Sequence, residues 1–194
     1  YIEIGEREAC IYTRKISGRG GLPVSSSGRV VSLISGGIDS PVAAYMISSR
    51  GCMPVFVHFF NFTRQREIVK DKVERIVRIL QENQPGTRLY LVPFKELQEH
   101  IIANIPASYR MIVYRRTMFE IANKIAEKEN AAGFVTGDSV GQVASQTLEN
   151  LRVIFSKAEY PVLSPLIGYG KQDIIDMAKR IGTYEVSILP YADC

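Results

Sequence analysis

The chain is 194 residues long and 46% hydrophobic, with 24 Lys and Arg against 20 Asp and Glu. That is room for one full domain with a sizeable core plus a small appendage, and a net charge of +4 permits an acidic partner without requiring one. No run of about 18 apolar residues occurs, so no transmembrane helix is expected. The three widely spaced cysteines (Cys10, Cys52 and Cys194) form neither a disulfide framework nor a zinc pattern, which fits the reduced cytoplasm. No signal peptide stands at the start, and a first residue of Tyr rather than Met reads as an excised fragment.

Ile2 and Ile4, then Ala9 and Ile11, alternate on either side of Gly5-Glu6-Arg7-Glu8, which predicts two short antiparallel strands. Two strands are barely stable alone, so residues 1–16 are expected to belong to a sheet whose remainder is missing. Residues 17–28 are rich in Gly and Ser and read as a linker. Arg14, Lys15 and Arg19 make it basic: a solvated linker and a contact to a phosphate backbone are both open.

From residue 29 the pattern is regular. An apolar run, Val30 to Ile34, breaks into Ser35-Gly36-Gly37, and a helix over about Ser40–Arg50 opens behind it. Met53–Phe60 predicts a second buried strand. A long amphipathic helix follows over about Arg64–Glu82, with Val73, Ile76, Val77 and Leu80 on its apolar face. A strand is expected over 88–94, a helix over 95–102, a Pro-containing loop over 104–110 and a helix over about 109–130. A fourth strand over 131–136 ends in Gly137-Asp138-Ser139. Helices over about 142–150 and 171–181 flank a short strand near 160–163. Such alternation argues for an α/β fold, a doubly wound and mostly parallel sheet built of right-handed crossovers.

The turn after the first of these strands carries the chemistry. A helix N-terminus offers unpaired N–H groups and the positive end of its dipole, hence an anion site. Gly36 and Gly37 lack a Cβ, so the backbone can take positive φ there and approach a phosphate closely. Ser35 and Ser40 add hydroxyls. Asp39 fits an anion site when a divalent cation lies between it and the phosphate. The Walker pattern is absent. A plain glycine turn would need none of these groups together.

Ser-Gly-Gly-x-Asp-Ser after an apolar strand resembles the PP-loop of the adenine-nucleotide α-hydrolase superfamily. Together with Gly-Gly-Leu-Pro-Val (20–24), Tyr-Arg-Arg (114–116), Gly-Gln-Val-Ala-Ser-Gln-Thr-Leu-Glu-Asn-Leu (141–151) and Pro-Leu-Ile (165–167), it resembles the tRNA 4-thiouridine synthetases of the ThiI type. The resemblance spans essentially the whole chain. It implies that residues 1–16 are the remnant of a THUMP domain, 17–28 a linker and 29–194 the PP-loop ATP pyrophosphatase domain. Ser25 stands where glycine is expected, and Asp138 where some relatives carry Glu.

The resemblance also implies the activity: ATP adenylates a tRNA uridine at O4, and persulfide sulfur then displaces AMP. Ser35, Gly36, Gly37, Asp39 and Ser40 would hold pyrophosphate, with Asp39 as the Mg²⁺ ligand. Leu33, Ile34, His58 and Phe59 would frame the adenosine through backbone contacts and stacking, and Arg115, Gly137 and Gln146 would contact the nucleotide. Asp138 would bind Mg²⁺ or place the uracil. Cys194, in a Pro-Tyr-x-Asp-Cys segment, would receive or resolve the persulfide, while Cys10 and Cys52 read as packing residues. The implied partners are tRNA and a cysteine desulfurase, with no membrane. Thiazole synthesis for thiamine through a sulfur-carrier protein is left open as a second outlet.

Blander roles stand beside these: a core histidine at His58, a solvated helix face at Arg115 and Arg116, a polar helical stripe at Gln142 and Gln146, and a helix N-cap at Asp138. Another PP-loop enzyme (a 2-thiouridylase or an amide-forming synthetase) and a non-catalytic tRNA-binding module are the rival functions.

Overall fold

A computed structural model describes the chain apart from residues 17, 19, 62–65, 83, 85 and 191–194, and for 66–71 it describes the backbone alone. The expected contact of Arg19 and the expected role of Cys194 therefore lie outside the described residues.

β1 (Ile2–Ile4) and β2 (Ala9–Ile11) form the antiparallel hairpin that the alternation predicts, with Ile2 opposite Ile11. Its apolar side chains stay in water on this chain; Ile4 and Ile11 are each 81% exposed. Cys10, expected to pack, is exposed.

The main sheet has five parallel strands in the order β5-β4-β3-β6-β7: β3 (Arg29–Leu33), β4 (Met53–Phe60), β5 (Leu89–Pro93), β6 (Ala131–Val135) and β7 (Val162–Leu163). β3 is central, and its adjacent Val30 and Val31 are buried on opposite faces, which is why apolar residues neighbour one another there instead of alternating with polar ones. Val31 joins the core under one helical layer, which also takes Phe59, Phe119 and Phe134; Val30 joins the core under the other. Phe119 and Phe134 are fully buried and meet edge to face at 5.3 Å. Burying each such ring contributes about 1.5–3 kcal/mol.

α3 (Lys95–Asn104), α4 (Ala107–Glu129) and α5 (Leu148–Phe155) make the first layer. α1 (Asp39–Ser48), α2 (Arg66–Gln81), α6 (Lys171–Ile181) and the short α7 (Tyr184–Ser187) make the second. Only Ile105 and Pro106 separate α3 from α4, a shorter break than the expected loop. Arg110 donates to the carbonyls of Ile105 and Ile102 at 2.9 and 3.0 Å, satisfying the end of α3.

The linker is not solvated throughout, as one of its two readings had it: Leu22 N donates to Ser49 O and Ser27 N to Gly51 O, docking 22–28 on the end of α1. Ser25 lies there with φ +62°, so the glycine expected at this position would serve backbone conformation. The helix expected over 142–150 is absent. A 3₁₀ turn at Ala144–Gln146 is followed by α5, which begins afresh because extended Thr147 accepts from Asn150 N at 3.2 Å as its N-cap.

Candidate functional site

The chain leaves β3 toward β4 and β5 on one side, then returns to β6 and β7 on the other. The carboxyl ends of β3 and β6 thus flank a topological switch point, where open α/β sheets bind ligands. A cleft of about 310 Å³ lies there. It is lined by Leu33, Ile34, Ser35, Asp39, Ser40, His58, Phe59, Arg115, Gly137, Asp138 and Gln146, all expected, together with Val57, Met111, Met118, Thr136 and Ser145, which were not.

The turn out of β3 is built from its own hydroxyls. Ser40 Oγ accepts from Ser35 N at 2.8 Å and lies 3.1 Å from Ser35 Oγ, which accepts from Gly37 N at 3.2 Å. These bonds fold the turn back onto the first residues of α1, whose leading N–H groups have no intrahelical partner. Gly36 and Gly37 sit inside this turn without using the positive φ open to them; the left-handed glycines lie elsewhere, Gly141 among them. The glycine that closeness demands is Gly137. A Cβ there would lie 2.7 Å from Ser40 N and 2.9 Å from Asp39 C, so its absence lets the end of β6 touch the start of α1.

Two carboxylates face this cleft, and each takes one cation and one amide. Asp39 Oδ1 accepts from Lys171 Nζ at 2.6 Å and its Oδ2 from Gln142 Nε2 at 3.1 Å. Asp138 is 3% exposed; its Oδ2 accepts from Arg115 at 2.6 Å and its Oδ1 from Gln146 Nε2 at 3.1 Å. Asp138 is no helix cap, since no helix starts behind it, and Gln142 and Gln146 share no helical face. Gln146 Oε1 is buried with no hydrogen-bond partner among the described residues, an acceptor left over inside the cleft.

His58 is 2% exposed, with Nδ1 2.9 Å from the carbonyl of Ile34, tying the tips of β3 and β4 together. Phe59 packs edge-on against Phe94 at 5.5 Å. Cys52 is half-buried, and burial pushes its thiol up, as suits a packing residue. Lys171 and Gln142 were missed as site residues. Lys171 opens an amphipathic helix and reads as a solvated cation; only its 2.6 Å contact with Asp39 reveals otherwise.

Among the described residues no three His, Cys, Asp or Glu side chains gather to hold a metal. One carboxylate beside a helix N-terminus fits Mg²⁺ that arrives on phosphates and keeps much of its water.

Comparisons with known proteins point one way. The model of the family described as "Thiamine biosynthesis protein (ThiI)" matches residues 25–194. A probable tRNA sulfurtransferase of Thermus thermophilus is 50% identical over 186 residues, 96% of this chain and 46% of that protein. The chain spans about half the length of the curated relatives it matches. A solved 4-thiouridine synthetase–RNA complex with bound ATP superposes with TM-score 0.90 at 44% identity, over 98% of this chain and 50% of that one. NMN synthetase from Francisella tularensis, at TM-score 0.60 and 16% identity over 88% of this chain and 67% of that one, shares the fold alone. With its switch-point cleft, its Ser-Gly-Gly-x-Asp-Ser turn and a family model matched from residue 25 to 194, this chain belongs to the ThiI family.

Proposed function

We propose that this chain is the nucleotide-activating part of an ATP-dependent tRNA sulfurtransferase. The observation that carries the reading is a pair of carboxylate–cation contacts at the N-terminus of α1: Asp138 with Arg115, both lining the cleft, and Asp39, which lines it, with Lys171 beside it. Each places a cation where phosphate charge would develop, and such electrostatic stabilisation is the largest contribution to many transfers of this kind.

The uridine O4 attacks the α-phosphorus of ATP, and the bond from that phosphorus to the pyrophosphate oxygen breaks. Ser35, Ser40 and the first N–H groups of α1 hold the departing pyrophosphate. The unpartnered Gln146 Oε1 suits an N–H donor of a bound base. Asp138 orients Arg115 and lies on the uracil side of the cleft. Mg²⁺, carried by the nucleotide and met by Asp39, would offset phosphate charge. The outer sulfur of the persulfide then bonds to C4 as the C4–O4 bond breaks and AMP departs with O4; a second thiol attacks the inner sulfur, so that the S–S bond breaks, the sulfur stays on C4 and a disulfide is left. Cys194 receives or resolves the persulfide supplied by a cysteine desulfurase.

The exposed apolar side chains of the hairpin support its belonging to a larger sheet, which we assign to a THUMP domain that carries tRNA contacts. The family's description supports a further outlet, thiazole synthesis for thiamine through a sulfur-carrier protein. No helix among the described residues is long and apolar enough to cross a membrane.

The test follows pyrophosphate release and 4-thiouridine absorbance on the same samples of full-length protein, tRNA and desulfurase. Cys194→Ser is expected to release pyrophosphate normally but yield almost no 4-thiouridine. Normal 4-thiouridine from that variant would refute the role of Cys194. Absence of tRNA-dependent pyrophosphate release from the unaltered protein would refute the activation step.

A further inference from the structure

The turn at Gly141–Gln146 reaches both carboxylates of the cleft at once. Gln142 donates to Asp39 Oδ2 and Gln146 to Asp138 Oδ1, each at 3.1 Å, although Asp39 belongs to α1 and Asp138 follows β6. The spacing of the two amides is set by backbone. Gly141 N donates to Gln146 O at 3.1 Å and Gln146 N to Val143 O at 2.9 Å, with Gly141 at φ +74°. The loop that follows β6 therefore closes on itself at Asp138 and reaches across to α1 at Asp39.

The two partners of Asp39 differ in chemistry. Lys171 is a cation, and an arriving phosphate competes for it with strong charge-assisted bonds. The Gln142 amide is neutral and donates to a carboxylate without altering the net charge of the site. Gln142 therefore has no charge that an arriving phosphate would compete for, whereas Lys171 has.

Resting on the nucleotide-activating reading above, we propose that Gln142 is a positioning residue for that step. It holds the Asp39 carboxylate in register with Asp138 while Lys171 turns to the phosphates.

The experiment uses full-length protein with tRNA and three variants: Gln142→Met, Gln142→Glu and Asp39→Asn. It measures the kcat of pyrophosphate release, the Kd for ATP by calorimetry, and the melting temperature. Gln142→Met removes the donor at nearly constant shape. It is expected to lower kcat on the order of tenfold, as a misplaced group does, while Kd stays within about threefold and the melting temperature holds. Gln142→Glu is closer in shape but replaces the amide donor with a second anion facing Asp39, so a larger loss is expected. A merely space-filling side chain would tolerate Glu better than Met. A wild-type kcat for Gln142→Met overturns the proposal, as does a loss for Gln142→Glu no greater than that for Gln142→Met. Normal turnover by Asp39→Asn would sink the underlying reading of the nucleotide site as well, whereas an inactive Asp39→Asn beside a normal Gln142→Met would sink this inference alone.

Discussion

Lys171 Nζ lies 2.6 Å from Asp39 Oδ1 across 132 residues of sequence, so the first residue of α6 closes the anion site opened by the first residue of α1. The pair is partly exposed, and such pairs contribute only about 0–1 kcal/mol to stability. Asp39→Ala and Lys171→Met are therefore expected to leave the circular-dichroism spectrum and melting temperature nearly unchanged. Each is expected to cut tRNA-dependent pyrophosphate release on the order of a hundredfold, the scale of losing one electrostatic group. Unchanged release from either variant would remove that residue from the site.

Gly137 tests the closeness of β6 and α1. The Cβ of Gly137→Ala would meet backbone atoms of Asp39 and Ser40 at 2.7–3.0 Å, and these cannot rotate away as a side chain would. The expected cost is about 1–3 kcal/mol in urea denaturation, the usual penalty of overpacking, with a parallel weakening of ATP binding. Native stability together with native ATP affinity would show that the two ends have slack.

At the opposite end of the sheet, Glu129 is 1% exposed. The Tyr90 hydroxyl and then the Arg88 guanidinium, at 2.8 Å, hold its carboxyl below the usual carboxylate range. A lowered folded-state value means that this contribution to stability is complete above the ordinary value near 4.5 and fades as pH falls through the folded one. Glu129→Gln should cost about 2 kcal/mol near neutral pH, in line with hydrogen bonds to a charged group. The gap to wild type should shrink below pH 4.5, which urea titrations at several pH values would read. A gap that is constant with pH would contradict the linkage.

Ser25 holds φ +62°. A non-glycine residue there costs about 1–2 kcal/mol, against about 0.5–1 kcal/mol of extra chain entropy for glycine. Ser25→Gly is expected to stabilise by about 0.5–1 kcal/mol, seen as a higher urea midpoint at unchanged slope. A lower midpoint would mean that the Ser25 side chain supplies more than its strain removes.

What the sequence by itself determined was local. Met53–Phe60 and Lys171–Ile181 have the expected bounds, because a doubly buried strand and an amphipathic helix write their periods into adjacent residues. The turn at Ser35–Ser40 was legible for the same reason: its hydroxyls and glycines bond to one another within six residues. Residues 142–150 misled because Gln142 and Gln146, read as a helical stripe, are drawn to the carboxylates of Asp39 and Asp138, and the cap at Thr147 starts the helix later. Lys171 carried no local sign of its role, and nothing near Gly137 in sequence announces that the backbone of α1 passes within reach of its absent Cβ. Those contacts join residues about a hundred positions apart. Only the parallel sheet, which brings the carboxyl ends of β3 and β6 side by side, decides which side chains meet in the cleft.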